Sequence, residues 1–300
     1  MPELPEVQTI ATALHAALCG KIIEAVRFDV PRSFPQGEEG VRRLIGQRID
    51  TVHREGKAIL LELSCQETLL IHLRMTGQLL VTTPQSPESL KETLPNSSTR
   101  MEFSLSKECT LWFNDTRRFG QVTLLTPLER TLHPYLSTLG PDPLDPEVSA
   151  KTLETILQRR PTHRIKPALL DQHNLAGLGN IYCDEALFLA GIHPERRVGS
   201  LSSAELHRLF ESIREVLTLS LSKGGSTRRD YRLVDGKEGR YLEEAFVYGR
   251  TGAPCRRCNT PIEKSKVSGR GTHFCPRCQS LGQEAPSSST PASKGGRNTP

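Results

Sequence analysis

The chain has no apolar run approaching the ~20 residues that a membrane-crossing helix needs. Its first residues carry acids and prolines, where a secretory leader would show a basic start and an apolar centre. No internal repeat is visible. A strong charge of one sign is also missing: the net charge is +5 and the pI about 8.8, a mildly basic balance compatible with a nucleic-acid partner without demanding one. Paired cysteines are scarce too. Of eight, Cys19, Cys65, Cys109 and Cys183 stand singly among apolar neighbours and read as buried thiols of a reducing compartment. These absences describe a cytoplasmic chain that, at 300 residues, has room for two domains and a small appendage.

Period and punctuation divide what remains. Val7, Ile10, Ala11, Leu14, Ala17 and Leu18 mark one face of a helix that Gly20 ends. Eight short segments of strand character follow, at 22–30, 48–53, 57–63, 68–73, 78–81, 101–105, 110–113 and 121–125, separated by turn residues at the spacing of a β-sandwich. The Pro-, Ser- and Thr-rich stretch 82–98 reads as a surface loop. Beyond the stiff linker around Gly140-Pro141-Asp142-Pro143 the period becomes helical, with stripes at Leu153, Ile156, Leu157 and from Leu206 to Leu221. The fold class is therefore multidomain α+β. An N-terminal helix lies on a two-sheet β-sandwich over residues 1–130, a linker covers 131–146, and a helical domain covers 147–239. A cysteine module occupies 240–282, and the tail 283–300 has a disordered composition.

The remaining cysteines carry the most specific pattern. Cys255-x2-Cys258 and Cys275-x2-Cys278 stand sixteen residues apart, each pair able to hold one side of a tetrahedral ion. Four thiolates leave no open position on the metal, so the zinc this predicts is structural. Six basic residues (Arg256, Arg257, Lys264, Lys266, Arg270, Arg277) against the single acid Glu263 make the intervening hairpin a phosphate-binding finger, with Arg270 pushed outward at a tight turn.

Two further stretches carry chemistry. In Ile165-Lys166-Pro167 through Gly177-Leu178-Gly179-Asn180-Ile181-Tyr182, a Gly-rich turn opens a helix whose free N–H groups, with Asn180 and Lys166, read as an anion site. No strand precedes the turn, so dinucleotide binding fits poorly. At the chain's start, Pro2-Glu3-Leu4-Pro5-Glu6 taken alone is an ordinary helix beginning. Removal of Met1 would, however, leave Pro2 a secondary amine able to form an iminium, with Glu3 beside it to exchange protons.

Together these stretches resemble the formamidopyrimidine-DNA glycosylase family of bacterial base-excision repair enzymes, from residue 2 to about 280. The resemblance implies a monomeric, nucleoid-associated, bifunctional glycosylase and abasic-site lyase. It would act on double-stranded DNA bearing 8-oxoguanine, formamidopyrimidines or abasic sites, with one structural Zn²⁺ on Cys255, Cys258, Cys275 and Cys278. By the same resemblance Pro2 is the nucleophile at C1′, Glu3 the proton donor to the deoxyribose, Lys57 a phosphate grip acting in β-elimination, and Arg270 an aid to δ-elimination. Lys166 and Asn180 match its phosphate clamp. Met75, Arg117 and Phe119 match the triad that fills the vacated stack, Arg117 also pairing with the orphaned base. Two departures stand out: Asn96–Arg100 replaces the family's Lys-His-x-His, leaving that phosphate contact open with Arg100 a candidate for it, and Thr162 stands where a lysine is common, with Arg159, Arg160 or Arg164 the candidates to supply its charge. The related endonuclease VIII branch, specific for oxidised pyrimidines, is the alternative. Leu4, the Met75 set and the loop from Gly224 to Tyr231, which resembles a purine-capping loop, favour the purine branch. A non-catalytic zinc-finger DNA-binding protein is the remaining reading, and Pro2, Glu3 and Lys57 together argue against it.

Overall fold

A computed structural model describes residues 1–29, 31–227 and 231–281; the tail expected from 283 and part of the capping loop lie outside the described residues. Helix α1 (Leu4–Leu18) opens the chain, with the N–H of Glu3 donated to the Glu6 carboxylate at 2.8 Å, one half of a capping box. The strands β1 (Ile23–Phe28), β2 (Ile49–Glu55), β3 (Ala58–Leu63), β4 (Thr68–His72), β5 (Gly77–Thr82), β6 (Thr99–Leu105), β7 (Cys109–Asp115) and β8 (Gln121–Leu125) follow. They form two antiparallel four-stranded sheets, ordered β1-β6-β7-β5 and β2-β3-β4-β8. Three short helices appear where the sequence pattern showed none: α2 (Gly37–Leu44) and α3 (Glu88–Lys91, within the expected loop) between strands, and α4 (Pro127–Leu132) after the last, its Thr126 and Glu129 making a capping box.

The sandwich closes because alternate strand residues face inward against one side of α1. Val7, Ile10, Leu14 and Leu18 pack with Ile59, Leu61 and Ile71 of one sheet and Phe103, Leu111 and Phe113 of the other. Leu4, one turn earlier, belongs instead to a second core with Leu178, Tyr182, Leu209 and Ile213. The first helix thus spans both hydrophobic bodies, and its N-terminus lies at their junction.

The second body contains α5 (Ala150–Leu157), α6 (Ile165–Leu170), α7 (Asn180–Ala190) and α8 (Ser203–Ser222). A smaller core of Phe188, Val247, Ile262, Cys255 and Cys275 lies under the terminal hairpin β9 (Glu263–Val267) and β10 (Arg270–Phe274). That hairpin turns through Ser268 and Gly269, both at positive φ, a pairing that matches strand twist. Glu185 of α7 fixes the approach to it. Its carboxylate accepts the N–H groups of Phe246, Val247 and Tyr248 at 2.7–2.8 Å and the Tyr241 hydroxyl at 3.2 Å. Among the described residues no helix is long and apolar enough to cross a membrane.

Truncating that carboxylate leaves three amides without an acceptor in a buried site. Glu185→Ala is expected to lower stability by roughly 3 kcal/mol or more. A urea titration followed by far-UV circular dichroism checks this, with Glu185→Gln losing less.

Candidate active site

Pro2 is buried at the junction of the two bodies, while Met1 is exposed. The Gly177–Gly179 turn receives this end of the chain: the N–H of Leu4 donates to the Gly177 carbonyl at 3.0 Å. The Glu3 carboxylate accepts the N–H groups of Ile181 at 3.0 Å and Tyr182 at 3.4 Å, in the first turn of α7. A Cβ on Gly179 would overlap the Glu3 carboxyl group, so glycine is required by close approach. The expected anion site at this helix start is therefore corrected: the turn faces inward, and the chain's own carboxylate takes the free donors.

Burial raises the Glu3 pKa, opposed by the nearby Lys57 ammonium and then by the two helix N–H groups. Lys57 is lowered, chiefly by burial and further by Arg270, while Glu3 opposes the shift. Its ammonium donates to the Leu178 carbonyl at 2.9 Å. The turn that carries it has Gly56 at φ +57°, and the Tyr135 hydroxyl accepts the Lys57 N–H at 2.6 Å. Strand hairpin, interdomain turn and N-terminus thus bring Lys57 within electrostatic reach of Glu3, the residue after Pro2, and Arg270 of the zinc hairpin acts on Lys57 from an exposed position.

Glu6 carried no motif signal beyond its favourable place in the first helical turn. It accepts the N–H groups of Glu3 and of Ser226 (2.7 Å) and the hydroxyl of Tyr182, which also contacts the Ser220 and Ser226 hydroxyls. Burial, then repulsion from Glu3, raises its pKa to about 7. The start of the expected capping loop is thereby tied to the start of the chain.

On the sandwich side, Met75 and Phe119 are 42% and 44% exposed, and Arg117 stacks over Phe119 at 4.8 Å. With Met1, Arg32, Arg74 and Gln121, the two apolar side chains line an open cavity of about 410 Å³. Asn180 donates to the Gly271 carbonyl at 3.0 Å, adjoining Arg270.

Two expected phosphate contacts are corrected. The Lys166 ammonium is fully buried, donating to Asp184 at 2.6 Å, Thr272 at 2.9 Å and the Gly271 carbonyl at 3.1 Å. Its three donors are used, and it fastens α6 and α7 to the hairpin. Arg100 is also buried, paired with Asp29 and donating to the carbonyls of Ser97 and Asp115. Lys166 has no donor left for DNA, and Arg100 is turned away from the surface by its burial and its pairing with Asp29.

The sulfurs of Cys255, Cys258, Cys275 and Cys278 lie within 4.8 Å of one another, with no disulfide among them. Zn–S bonds of about 2.3 Å in a tetrahedron place sulfurs roughly 3.8 Å apart. The observed 3.9 Å for Cys255–Cys278 and 3.4 Å for Cys258–Cys275 suit that ion. The N–H groups of Arg257 and Cys278 point at Cys255 and Cys275 sulfur, as anionic thiolates favour. One structural zinc fits this site.

Sandwich, inward helical turn and four-cysteine hairpin, joined at a buried N-terminal carboxylate, define the class of helix–two-turn–helix, zinc-finger enzymes. Comparison with known proteins narrows the class. Residues 1–122 match the formamidopyrimidine-DNA glycosylase N-terminal domain, 139–232 the H2TH domain of the same enzyme, and 252–281 the zinc finger found in FPG and IleRS. Formamidopyrimidine-DNA glycosylase of an Exiguobacterium species is 44% identical over 93% of this chain and 99% of its own length. That of Heliobacterium modesticaldum is 43% identical over 93% and 100%. Among solved structures, the Lactococcus lactis Fpg in complex with an abasic site containing DNA superposes with a TM-score of 0.83 at 35% identity, covering 93% of this chain and 99% of that one. MutM (FPG) from Thermus thermophilus gives 0.82 at 37% identity, over 94% and 100%. The chain belongs to the formamidopyrimidine-DNA glycosylase family.

Two outcomes follow from this geometry. A carboxyl whose folded pKa is raised holds its proton in the native state above the pH at which the unfolded chain has released it, so stability falls as pH rises between the two values. For Glu6 the window runs from the ordinary 4.5 to about 7 and is worth on the order of 3 kcal/mol. Glu6→Gln should flatten the pH dependence of the denaturation midpoint across that window, leaving the contribution of Glu3, which has the same sign. Removing zinc with a chelator should release the hairpin while the sandwich stays folded. Amide hydrogen exchange should then show protection lost over 252–281 and retained in α1 and β2–β4.

Proposed function

We propose that this chain is a bifunctional DNA glycosylase and abasic-site lyase of the cytoplasmic nucleoid, removing oxidised purines by a Schiff base at Pro2. The observation that carries the reading is that Glu3, the residue next to Pro2, and Lys57 are buried within each other's electrostatic reach, burial raising the pKa of one and lowering that of the other. With Met1 attached, that nitrogen is an amide without a nucleophilic lone pair. Removal of Met1 yields the amine and also takes one lining residue from the cavity beside Met75 and Phe119.

The amine attacks C1′ as the bond to the base breaks, and the proton shed by the amine nitrogen passes to the departing base. The raised pKa of Glu3 keeps its proton available for the ring oxygen as C1′–O4′ opens to the iminium. Lys57, whose pKa burial lowers, takes part in loss of the C2′ proton and departure of the 3′ phosphate. Arg270, exposed on the hairpin, steadies the phosphates through the second elimination, with Asn180 alongside. Water then frees Pro2. The base must leave the stack for this chemistry, at a cost of a few kcal/mol. Met75 and Phe119 fill the gap, and Arg117 faces the orphaned base. In the division that suits these roles, residues 1–130 hold the reaction centre, and 147–239 and 240–282 grip the duplex. The Lactococcus lactis relative was solved with Fapy-dG and with abasic DNA, which supports both the substrate class and the lyase step.

Protein whose N-terminus has been verified by mass should give a covalent adduct with 8-oxoguanine duplex under borohydride, and excise 8-oxoguanine in preference to thymine glycol. Pro2→Gly should lose most of the adduct. A full adduct yield in that variant, or none in the parent, would sink the Schiff-base reading; a preference for thymine glycol would place the chain in the pyrimidine branch.

A further inference from the structure

The wedge side chains come from two separate loops. Met75 lies between β4 and β5, and Arg117 and Phe119 lie between β7 and β8. Both loops pass through left-handed backbone at a non-glycine residue next to the wedge, Arg74 at φ +53° and Arg118 at φ +57°. Each such residue costs on the order of 1–3 kcal/mol and persists only where its surroundings hold it.

One buried carboxylate does this for both loops. Asp115, only 1% exposed, ends β7 opposite Gly77 in the β5–β7 register, directly below the Met75 turn. Its Oδ1 accepts the Thr76 hydroxyl, from the residue after Met75, and the Arg117 N–H at 3.2 Å. Its Oδ2 accepts the Gly120 N–H at 2.7 Å, from the residue after Phe119. Thr76 closes the link, its oxygen also accepting the Arg117 N–H at 3.1 Å. A Cβ at Gly120 would strike the Phe113 ring, so the chain can reach this carboxylate only as glycine. The backbone of Asp115 is held as well: its N–H donates to the Ser98 carbonyl at 2.7 Å, and its own carbonyl accepts Arg100 Nε at 2.8 Å. The buried Arg100 is thus accounted for as the rear support of the same pin.

We propose that Asp115 is the positioning residue of the wedge. By fastening the Met75 loop to the Arg117–Phe119 loop it makes the three side chains enter the duplex as one rigid unit, while touching neither DNA nor the reacting atoms. The proposal rests on the function proposed above. Strand opening has to be driven against stacking, and a wedge whose parts moved independently would lose that work to loop reorganisation. Thr76 shares the role, since its hydroxyl is the only side-chain bridge between the Met75 turn and the carboxylate among the contacts described.

The test separates base extrusion from chemistry. Asp115→Asn turns the Gly120 acceptor into a donor facing an N–H, Thr76→Val removes the bridging hydroxyl, and Thr76→Ser keeps it. Each is assayed on an 8-oxoguanine duplex with 2-aminopurine beside the lesion, and by borohydride trapping on a single-stranded abasic oligonucleotide, which needs no wedge. Asp115→Asn and Thr76→Val should slow lesion excision by roughly tenfold and reduce the 2-aminopurine unstacking signal. The single-strand adduct should stay near the parent's yield, and Thr76→Ser should recover the duplex rate. Equal loss on both substrates, or an unstacking signal unchanged in the variants, overturns the proposal. If Asp115→Asn does not fold, Thr76→Val against Thr76→Ser decides it. A parent enzyme that forms no adduct defeats the proposed function along with this role, whereas an active parent with unaffected variants defeats this role alone.

Discussion

The Glu3 carboxylate at the first turn of α7 is the interaction on which the rest depends. It is made across 178 positions of chain and joins the β-sandwich's leading helix to the helical domain. Gly179 exists for it, Leu4 enters the helical core because of it, and Lys57 reaches the Leu178 carbonyl in the same space. A carboxyl so buried has two opposing influences on it. Desolvation favours its proton; helix donors and a nearby ammonium favour its charge. A group poised between the two can give up a proton and take it back, which the chemistry at Pro2 requires.

The acid pair at the chain's start divides the work. Glu3 faces Lys57 and α7, whereas Glu6 faces Tyr182 and the N–H of Ser226. Through Glu6 the segment that begins at Ser226 shares a hydrogen-bonded network with Glu3, the residue after Pro2. The start of that segment and the start of the chain are therefore set by one buried polar cluster, whose members are costly to leave unpaired.

Much of the architecture was legible because it rests on local period. The eight strands, the helical domain and the cysteine hairpin all follow from alternation, spacing and turn residues, and the zinc ligands from sequence alone. Helices α2 and α4 escaped notice because each is short, eight and six residues, and α2 offers only Val41 and Leu44 as buried large apolar groups while α4 buries none. The failures at the site have a different cause. A lysine in a phosphate-binding motif reads as a surface cation, and only the fold reveals that Asp184, Thr272 and Gly271 enclose Lys166. Arg100 misled in the same way, since its partner Asp29 is 71 positions distant. Asp115 stood in plain sight beside Arg117, yet its function is to accept bonds from two loops, and a linear pattern does not record who donates to whom.

The carbonyl of Gly271 receives both the Lys166 ammonium and the Asn180 amide. A terminal metal hairpin is commonly treated as an interchangeable part, added to or swapped between scaffolds as a self-contained cassette. Here the strand that carries Arg270 draws its register from two side chains of the helical domain, and Lys166 in turn answers to Asp184 of α7. Hairpin and helical turn must accordingly be inherited together: a recombinant that took one without the other would carry the right ligands for zinc and aim its arginine at the wrong place.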